Sequence, residues 1–271
     1  MEFTVMTFNL RYNEKKDGNN DWPHRVDQAA DLIRRYRPSA IGMQEGLRSM
    51  LDDLQARLPG YAWVGEGRGG GNEDEHNAIF YDTSLLCVQE WGQFWLSETP
   101  EQPNSVSWDS SLPRICTWAR LQSIAEPGLE WMLYNTHLDH IGQEARVKGA
   151  ALIRSRMERY VGMAAGADAS AVGSLLPAVL TGDFNAWPSN PAIVQLRSEL
   201  FDAYRLHDGE VGLTAHSFHG GSDGQPIDYI FASAGVCVLE AHVIHDNVDG
   251  RYPSDHYPVL ARMRIEPCER E

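Results

Sequence analysis

LTGDFNAWPSNPAI, residues 180–193, decides how the rest of the chain is read. An apolar run stops at Gly182, and Asp183 and Asn185 flank Phe184. By itself this is a strand-end turn, because Gly, Asp and Asn all favour turns. Phe184 between two polar residues points elsewhere: to a corner that Gly182 permits, that Phe184 anchors in the core, and that aims two oxygen-bearing side chains at one place. The company this stretch keeps separates the two readings.

Other apolar runs end in the same chemistry. VMTFN ends in Asn9, AIGMQE in Glu45 and MLYNTH in His137. Later runs invert the order: Asp228 precedes YIF, and Asp255 and His256 precede YPVLARM. In an antiparallel arrangement the start of one strand lies beside the end of its neighbour. These groups are therefore expected to converge on one sheet edge and to form one site. Glu, Asp and Asn offer hard oxygen ligands suited to Mg²⁺ or Mn²⁺. Two histidines add donors or a base near neutral pH. The set suits a metal-polarised phosphate attacked by water. A P-loop and a GxSxG elbow are both missing, which disfavours nucleotide-triphosphate motors and serine hydrolases.

The remaining sequence supplies the frame. VDQAADLIRRYRP, SMLDDLQARLP, EARVKGAALIRSRMERYV and PAIVQLRSEL carry helical patterns. LLCVQEWGQFWL is a strand or hairpin, RICTWARLQSI and LEWMLYNTHL form a strand pair turned by AEPG, and VCVLEAHVIHD and HYPVLARMRI are late strands. GMAAGADASAVGS is low-complexity sequence, expected to be a helix end and flexible loop. Two rounds of strands and helices predict one α/β domain over residues 1–271, with helices outside packed sheets. Hydrophobic residues make up 42% of the chain, enough for a packed core and against global disorder. No apolar stretch approaches the ~20 residues of a membrane span. The first residues, MEFTVMTFNLRY, read as a strand rather than a signal peptide, so a cytoplasmic location is the default expectation. Cys87, Cys116, Cys237 and Cys268 are scattered and read as buried free thiols. A net charge of −15 disfavours binding of extended duplex nucleic acid. A monomer is the default expectation.

The motifs TFNLR, QE, NAIFYD, THLDH, GDFNAWP, IDYIF and SDHYPV follow one another along almost the whole chain. Each is weak alone; as an ordered set they resemble the endonuclease/exonuclease/phosphatase (DNase I-like) superfamily of metal-dependent phosphoesterases. The loop FWLSETPEQPNSVSWDSSLPR and the early NNDWPHR resemble a bacterial subgroup of it. The resemblance implies a four-layer αββα sandwich of two mostly antiparallel packed sheets with outer helices. It implies Mg²⁺ (or Mn²⁺) as cofactor and a phosphoester as substrate. Glu45 would be the main metal ligand, with Asn9 and Asp255 close by. Asp183 would position and help deprotonate the attacking water, and Asn185 would hold that water or a phosphate oxygen. His256 would contact the phosphate or act as acid/base, oriented by Asp228. His137 would donate to a phosphate oxygen. Arg114 would contact the phosphate, and Glu75 would be an acidic catalytic helper.

Plainer roles stand beside these. Glu45 can cap the following helix, Arg114 can serve a structural ion pair, Glu75 can be a solvated acid within NEDE, and Asp139 can shape its loop. THLDHIG also partly matches the HxHxDH signature of metallo-β-lactamase-like zinc hydrolases, but Asn135 stands where the first ligand histidine would be. A non-catalytic phosphoester-binding module on the same fold is the remaining alternative. The acidic balance favours a small or specialised phosphoester, such as a sugar, inositol or lipid head-group phosphate, with nuclease activity as a further option.

Overall fold

A computed structural model describes residues 1–158 and 176–265. The GMAAGADASAVGS segment and Cys268 lie outside the described residues. The described residues form two six-stranded sheets. The first contains β1 (Glu2–Asn9), β2 (Ala40–Gln44), β3 (Tyr61–Val64), β4 (Ile79–Asp82), β11 (Val236–Val243) and β12 (Val259–Ile265), in the order β11-β12-β1-β2-β4-β3 once all are numbered along the chain. The second contains β5 (Leu86–Trp95), β6 (Ile115–Ser123), β7 (Glu130–His137), β8 (Ala178–Asp183), β9 (Phe201–Asp202) and β10 (Asp228–Ala232), in the order β5-β6-β7-β8-β10-β9. In each sheet only the central pair, β1–β2 or β7–β8, is parallel. Those pairs need crossover connections, and helices α1 (Trp22–Tyr36) and α3 (Gln143–Met157) supply them.

Helix α1 begins four residues before the VDQAADLIRRYRP pattern, because Pro23 sits in its first turn, where no backbone N–H is needed. Its apolar stripe, with that of α2 (Arg48–Arg57), covers Met6, Phe8, Ile41 and Met43 on the outer face of the first sheet. PAIVQLRSEL is helical only as α4 (Pro191–Arg197). Cys116 is buried, whereas Cys87 and Cys237 are half-buried, and all three are free thiols.

The sheets face each other, and their inner faces change character along the strands. Successive side chains alternate between faces, so β1 turns Phe3, Val5, Thr7 and Asn9 inward. Likewise β7 presents Trp131, Leu133, Asn135 and His137, and β8 presents Val179, Thr181 and Asp183. All of these are buried, and Phe3 packs on Trp131 with ring centroids 4.6 Å apart. The sandwich interior is therefore apolar at one end and polar at the other. The polar end carries the site.

Candidate functional site

The parallel central pairs explain the convergence. Asn9 is in register with Gln44, and His137 with Asp183, so both strands of each pair finish at the same end. The antiparallel partner β10 starts there with Asp228 opposite Asp183. The expectation of one sheet edge is corrected: the groups come from the same end of two facing sheets. An antiparallel-only argument could not foresee this.

GDFN sits at the centre. Gly182 lies inside β8 rather than at the turn, and a Cβ there would meet the Thr136 carbonyl oxygen at 2.5 Å. The left-handed turn residue is Asn185, with φ 46°. Phe184 is fully buried, edge-on to Tyr229 and Phe231 at 5.5 and 5.4 Å. Glu45 follows its strand with φ 59°. Arg11 and Asp74, which also line the cleft, share that sparse region, with φ 52° and 68°; four such non-glycine residues at one site signal backbone strain held by the surrounding fold.

Asp183 is the hub. Its Oδ1 accepts from the Asn185 backbone N–H at 2.9 Å, and its Oδ2 accepts from Asn9 Nδ2 at 2.9 Å. That Oδ2 lies 3.5 Å from His137 Nε2 and 3.9 Å from His256 Nε2. Asn9 Nδ2 also donates to Glu45 Oε1 at 3.0 Å, and Asn9 Oδ1 accepts from the Arg11 N–H. Asn9 thus presents its nitrogen to two carboxylates and ties them together. Glu45 Oε2 accepts from the Tyr12 N–H; no bond to the following helix caps it. Asp228 Oδ2 is 2.9 Å from His256 Nδ1, which turns Nε2 toward Asp183. Asn185 Nδ2 reaches His137 Nε2 at 2.9 Å and the Leu138 carbonyl at 3.0 Å.

A cleft of about 580 Å³ opens over this cluster, lined by Glu45, Glu75, Arg114, His137, Asp183, Asn185, Asp255 and His256 among others. Asn9 and Asp228 lie behind that lining. Arg114 is buried, with Nη2 3.0 Å from His140 Nδ1 and Nε 3.5 Å from Asp139. Asp139 also accepts from Ser111 and from the Ile141 and Gly142 N–H groups. It shapes the loop and holds Arg114, so it is not disposed as a zinc ligand. Glu75 is gripped by both Nη atoms of Arg68 at 3.2 and 2.9 Å.

The electrostatics favour a cation. Burial, reinforced by Asp228, pushes Asp183 up to about 7. Burial also pushes Glu75 up to about 7 and raises Asp255. For His256, burial opposes the charged ring, but Asp228, Asp183 and Asp255 outweigh it and the pKa rises well above the ordinary value. His137 moves the other way, through burial and then Arg114, and is neutral. Two groups of acidic and histidine ligand atoms lie within 4.8 Å of one another: Glu45, His137 and Asp183, and Asp183, Asp228 and His256.

Sequence reasoning missed two arginines. Arg68 stands in a glycine-rich stretch with no pattern to betray it. Arg25 is buried and spends its guanidinium on the Leu10, Arg11, Asn20 and Pro253 carbonyls. It joins the loop after β1 to the loop carrying Asp255. Its signal was present: Trp22, Arg25, Val26, Ala29 and Ile33 share one helix face, and an arginine on an apolar stripe needs buried partners.

The chain matches the model of the Endonuclease/Exonuclease/phosphatase family over residues 6–256. It is similar to a solved endonuclease/exonuclease/phosphatase family protein from Bacteroides thetaiotaomicron, with 34% identity, 98% of this chain and 99% of that one covered, and a TM-score of 0.87. It is also similar to a mannosyl-6-phosphatase from Bacteroides thetaiotaomicron, with 34% identity, 97% and 99% of the two chains covered, and a TM-score of 0.84. The human Nocturnin catalytic domain shares the fold at 19% identity, with 98% and 94% covered and a TM-score of 0.70. A sequence search of curated proteins gave no match. With the family model spanning nearly its whole length, the chain belongs to the endonuclease/exonuclease/phosphatase family.

Proposed function

We propose that this protein is a divalent-metal-dependent phosphoesterase that hydrolyses a small phosphoester, with a phosphorylated carbohydrate as the favoured substrate. The observation that carries the proposal is the meeting of Glu45, Asp183 and Asp255 with the His256–Asp228 pair and Arg114 around one cleft. The donor set fits Mg²⁺ or Mn²⁺: hard carboxylate oxygens, several of them buried and raised in pKa, a state that a divalent cation relieves. Glu45 and Asp255 would hold the ion; Asn9, whose Nδ2 faces the Glu45 and Asp183 carboxylates and whose Oδ1 accepts from the Arg11 N–H, would join them only with its amide turned over. When bound, the cation polarises the phosphoryl group and offsets charge on its oxygens.

The chain's own groups do the rest. Asp183 is the base for the attacking water, with a pKa of about 7 that suits proton transfer near neutral pH. Both Asn185 amide hydrogens are engaged by His137 and Leu138, which leaves its Oδ1 to accept from that water. Asp228 holds His256 with Nε2 forward and charged, to donate to a phosphoryl oxygen. Arg114, in the lining of the same cleft, offers a second cationic donor. His137, being neutral and bonded to Asn185, would donate only once that bond opens. Glu75 is the other carboxyl able to exchange a proton near pH 7. The whole chain, 1–271, acts as one domain in this reading, supported by the core that the two sheets share.

The carbohydrate preference is supported by the similarity to the mannosyl-6-phosphatase and by the charge of −15, which repels polyanionic nucleic acid. The test is a panel of sugar phosphates, inositol phosphates, a phosphodiester and single-stranded DNA, with Mg²⁺, Mn²⁺ or EDTA, using wild type, Glu45→Ala and His256→Ala. Metal-dependent release from a sugar phosphate, lost in both variants, supports the proposal. Binding of a phosphorylated ligand with no turnover of any substrate would favour the non-catalytic module instead.

A further inference from the structure

Beneath the site lies a polar layer that no catalytic step uses. Two residues back from Asn9, His137 and Asp183, the inward positions are Thr7, Asn135 and Thr181, all fully buried. Polar groups so placed stay only where hydrogen-bonded, and here the bonds cross between the sheets. Asn135, on β7 of the second sheet, donates through Nδ2 to the Met43 and Ala78 carbonyls of the first at 2.8 and 3.0 Å. Its Oδ1 accepts from Gln44 Nε2 of the first sheet at 2.7 Å and from Thr181 Oγ1 of its own sheet at 3.1 Å. Gln44 Nε2 also lies 3.1 Å from Thr7 Oγ1. Gly42 makes room, since a Cβ there would stand 2.1 Å from Thr181 Oγ1 and 2.5 Å from Asn135 Oδ1.

We propose that Asn135 is a positioning residue whose cross-sheet hydrogen bonds set the spacing between the two halves of the site. Glu45 and Asn9 belong to one sheet; Asp183, His137 and Asp228 belong to the other. Apolar packing between sheets is non-directional and tolerates small slides. Three directional bonds across the sheets at one residue do not. Gln44 and Met43, which Asn135 grips, immediately precede Glu45 in sequence. Thr181, on its other side, is two residues from Asp183. The lock thus fixes the contact between halves, the 2.9 Å bond from Asn9 Nδ2 to Asp183 Oδ2, and with it the gap across which a cation held by Glu45 would face Asp183.

The inference concerns metal binding by the site and to that extent rests on the proposed function. The test compares wild type, Asn135→Leu, Gln44→Met, which removes the cross-sheet bond from Gln44 Nε2 to Asn135 Oδ1, and, as control, Thr136→Val. The control removes a buried hydroxyl bond on the same strand that stays within one sheet. Folding is checked by circular dichroism, Mn²⁺ binding by electron paramagnetic resonance, and the Asn9–Asp183 separation in crystals. Asn135→Leu should weaken Mn²⁺ binding about 10- to 100-fold, as losses behind metal ligands do, with Gln44→Met weaker by a smaller factor and Thr136→Val unchanged. The Asn9–Asp183 bond should open in Asn135→Leu. If Asn135→Leu does not fold, Gln44→Met decides on the same two readouts. Wild-type affinity in a folded lock variant, with the Asn9–Asp183 bond intact, overturns the inference. If wild type itself binds no Mn²⁺, the proposed function fails separately, and the Asn9–Asp183 separation alone judges the lock.

Discussion

Metal binding should be tightly linked to pH, and the link is traceable to Asp183. Its carboxyl is buried beside Asp228 and pushed up to about 7. At pH 6 such a group is protonated by about ten to one, and at pH 8 it is ionised by about the same ratio. A cation facing Asp183 favours the ionised form, so below pH 7 each ion bound releases about one proton. The Mn²⁺ dissociation constant should therefore rise about fivefold between pH 7 and pH 6, about tenfold between pH 8 and pH 6, and flatten above pH 8. The metal-free protein should show the complementary effect. An unfolded Asp ionises near its ordinary value, whereas Asp183 holds its proton to about 7 in the fold. Across that window the folded state binds more protons, so stability falls as pH rises, and Mn²⁺ restores it. Calorimetric titration in two buffers of different ionisation enthalpy counts the protons directly. Asp183→Asn removes the principal titrating group and should shrink the dependence to what Asp255 and Glu75, also raised by burial, contribute. Equal affinity at pH 6 and pH 8, with no proton released, would refute the reasoning.

Further outcomes follow from other contacts. His256→Ala removes the forward-facing donor and should lower kcat by about 10²- to 10³-fold in steady-state assays. Phe184→Ala empties the space beside Tyr229 and Phe231 and should cost about 3–5 kcal/mol in urea denaturation. Arg25→Lys cannot satisfy four carbonyls spread around a planar guanidinium, and should cost about 2–4 kcal/mol by the same measurement.

Much of the site was legible because its chemistry sits at strand ends, where an apolar run meets a polar residue. Asn9, Glu45, His137, Asp183, Asp228, Asp255 and His256 all stand at such junctions, and all meet in space. What the sequence could not show was the pairing. A parallel central pair in each sheet is a long-range choice with no local signature, and it puts the cluster between two sheets rather than along one. Gly182 misled for a related reason. Its small size serves close approach to Thr136, a contact with the neighbouring strand, whereas the local turn falls to Asn185. Glu75, expected as a catalytic helper, could equally be read as a solvated acid within NEDE, because its partner Arg68 is brought close only by the folding of a glycine-rich loop. Asn135 entered the reading only as an obstacle to a zinc motif. Its inward neighbours Thr7 and Thr181 continue the same alternation as the strand-end residues, so the pattern was available, but its meaning required the second sheet.

The central claim is that the Glu45–Asp183–His256 cluster directs water onto phosphorus. Its most direct test is hydrolysis of a sugar phosphate by the Mn²⁺-loaded protein in ¹⁸O-labelled water, followed by mass spectrometry of both products. The account predicts label in the inorganic phosphate, none in the sugar, and loss of labelled phosphate in Glu45→Ala and with EDTA. Label in the sugar hydroxyl, or phosphate release indifferent to both Glu45 and metal, would contradict it.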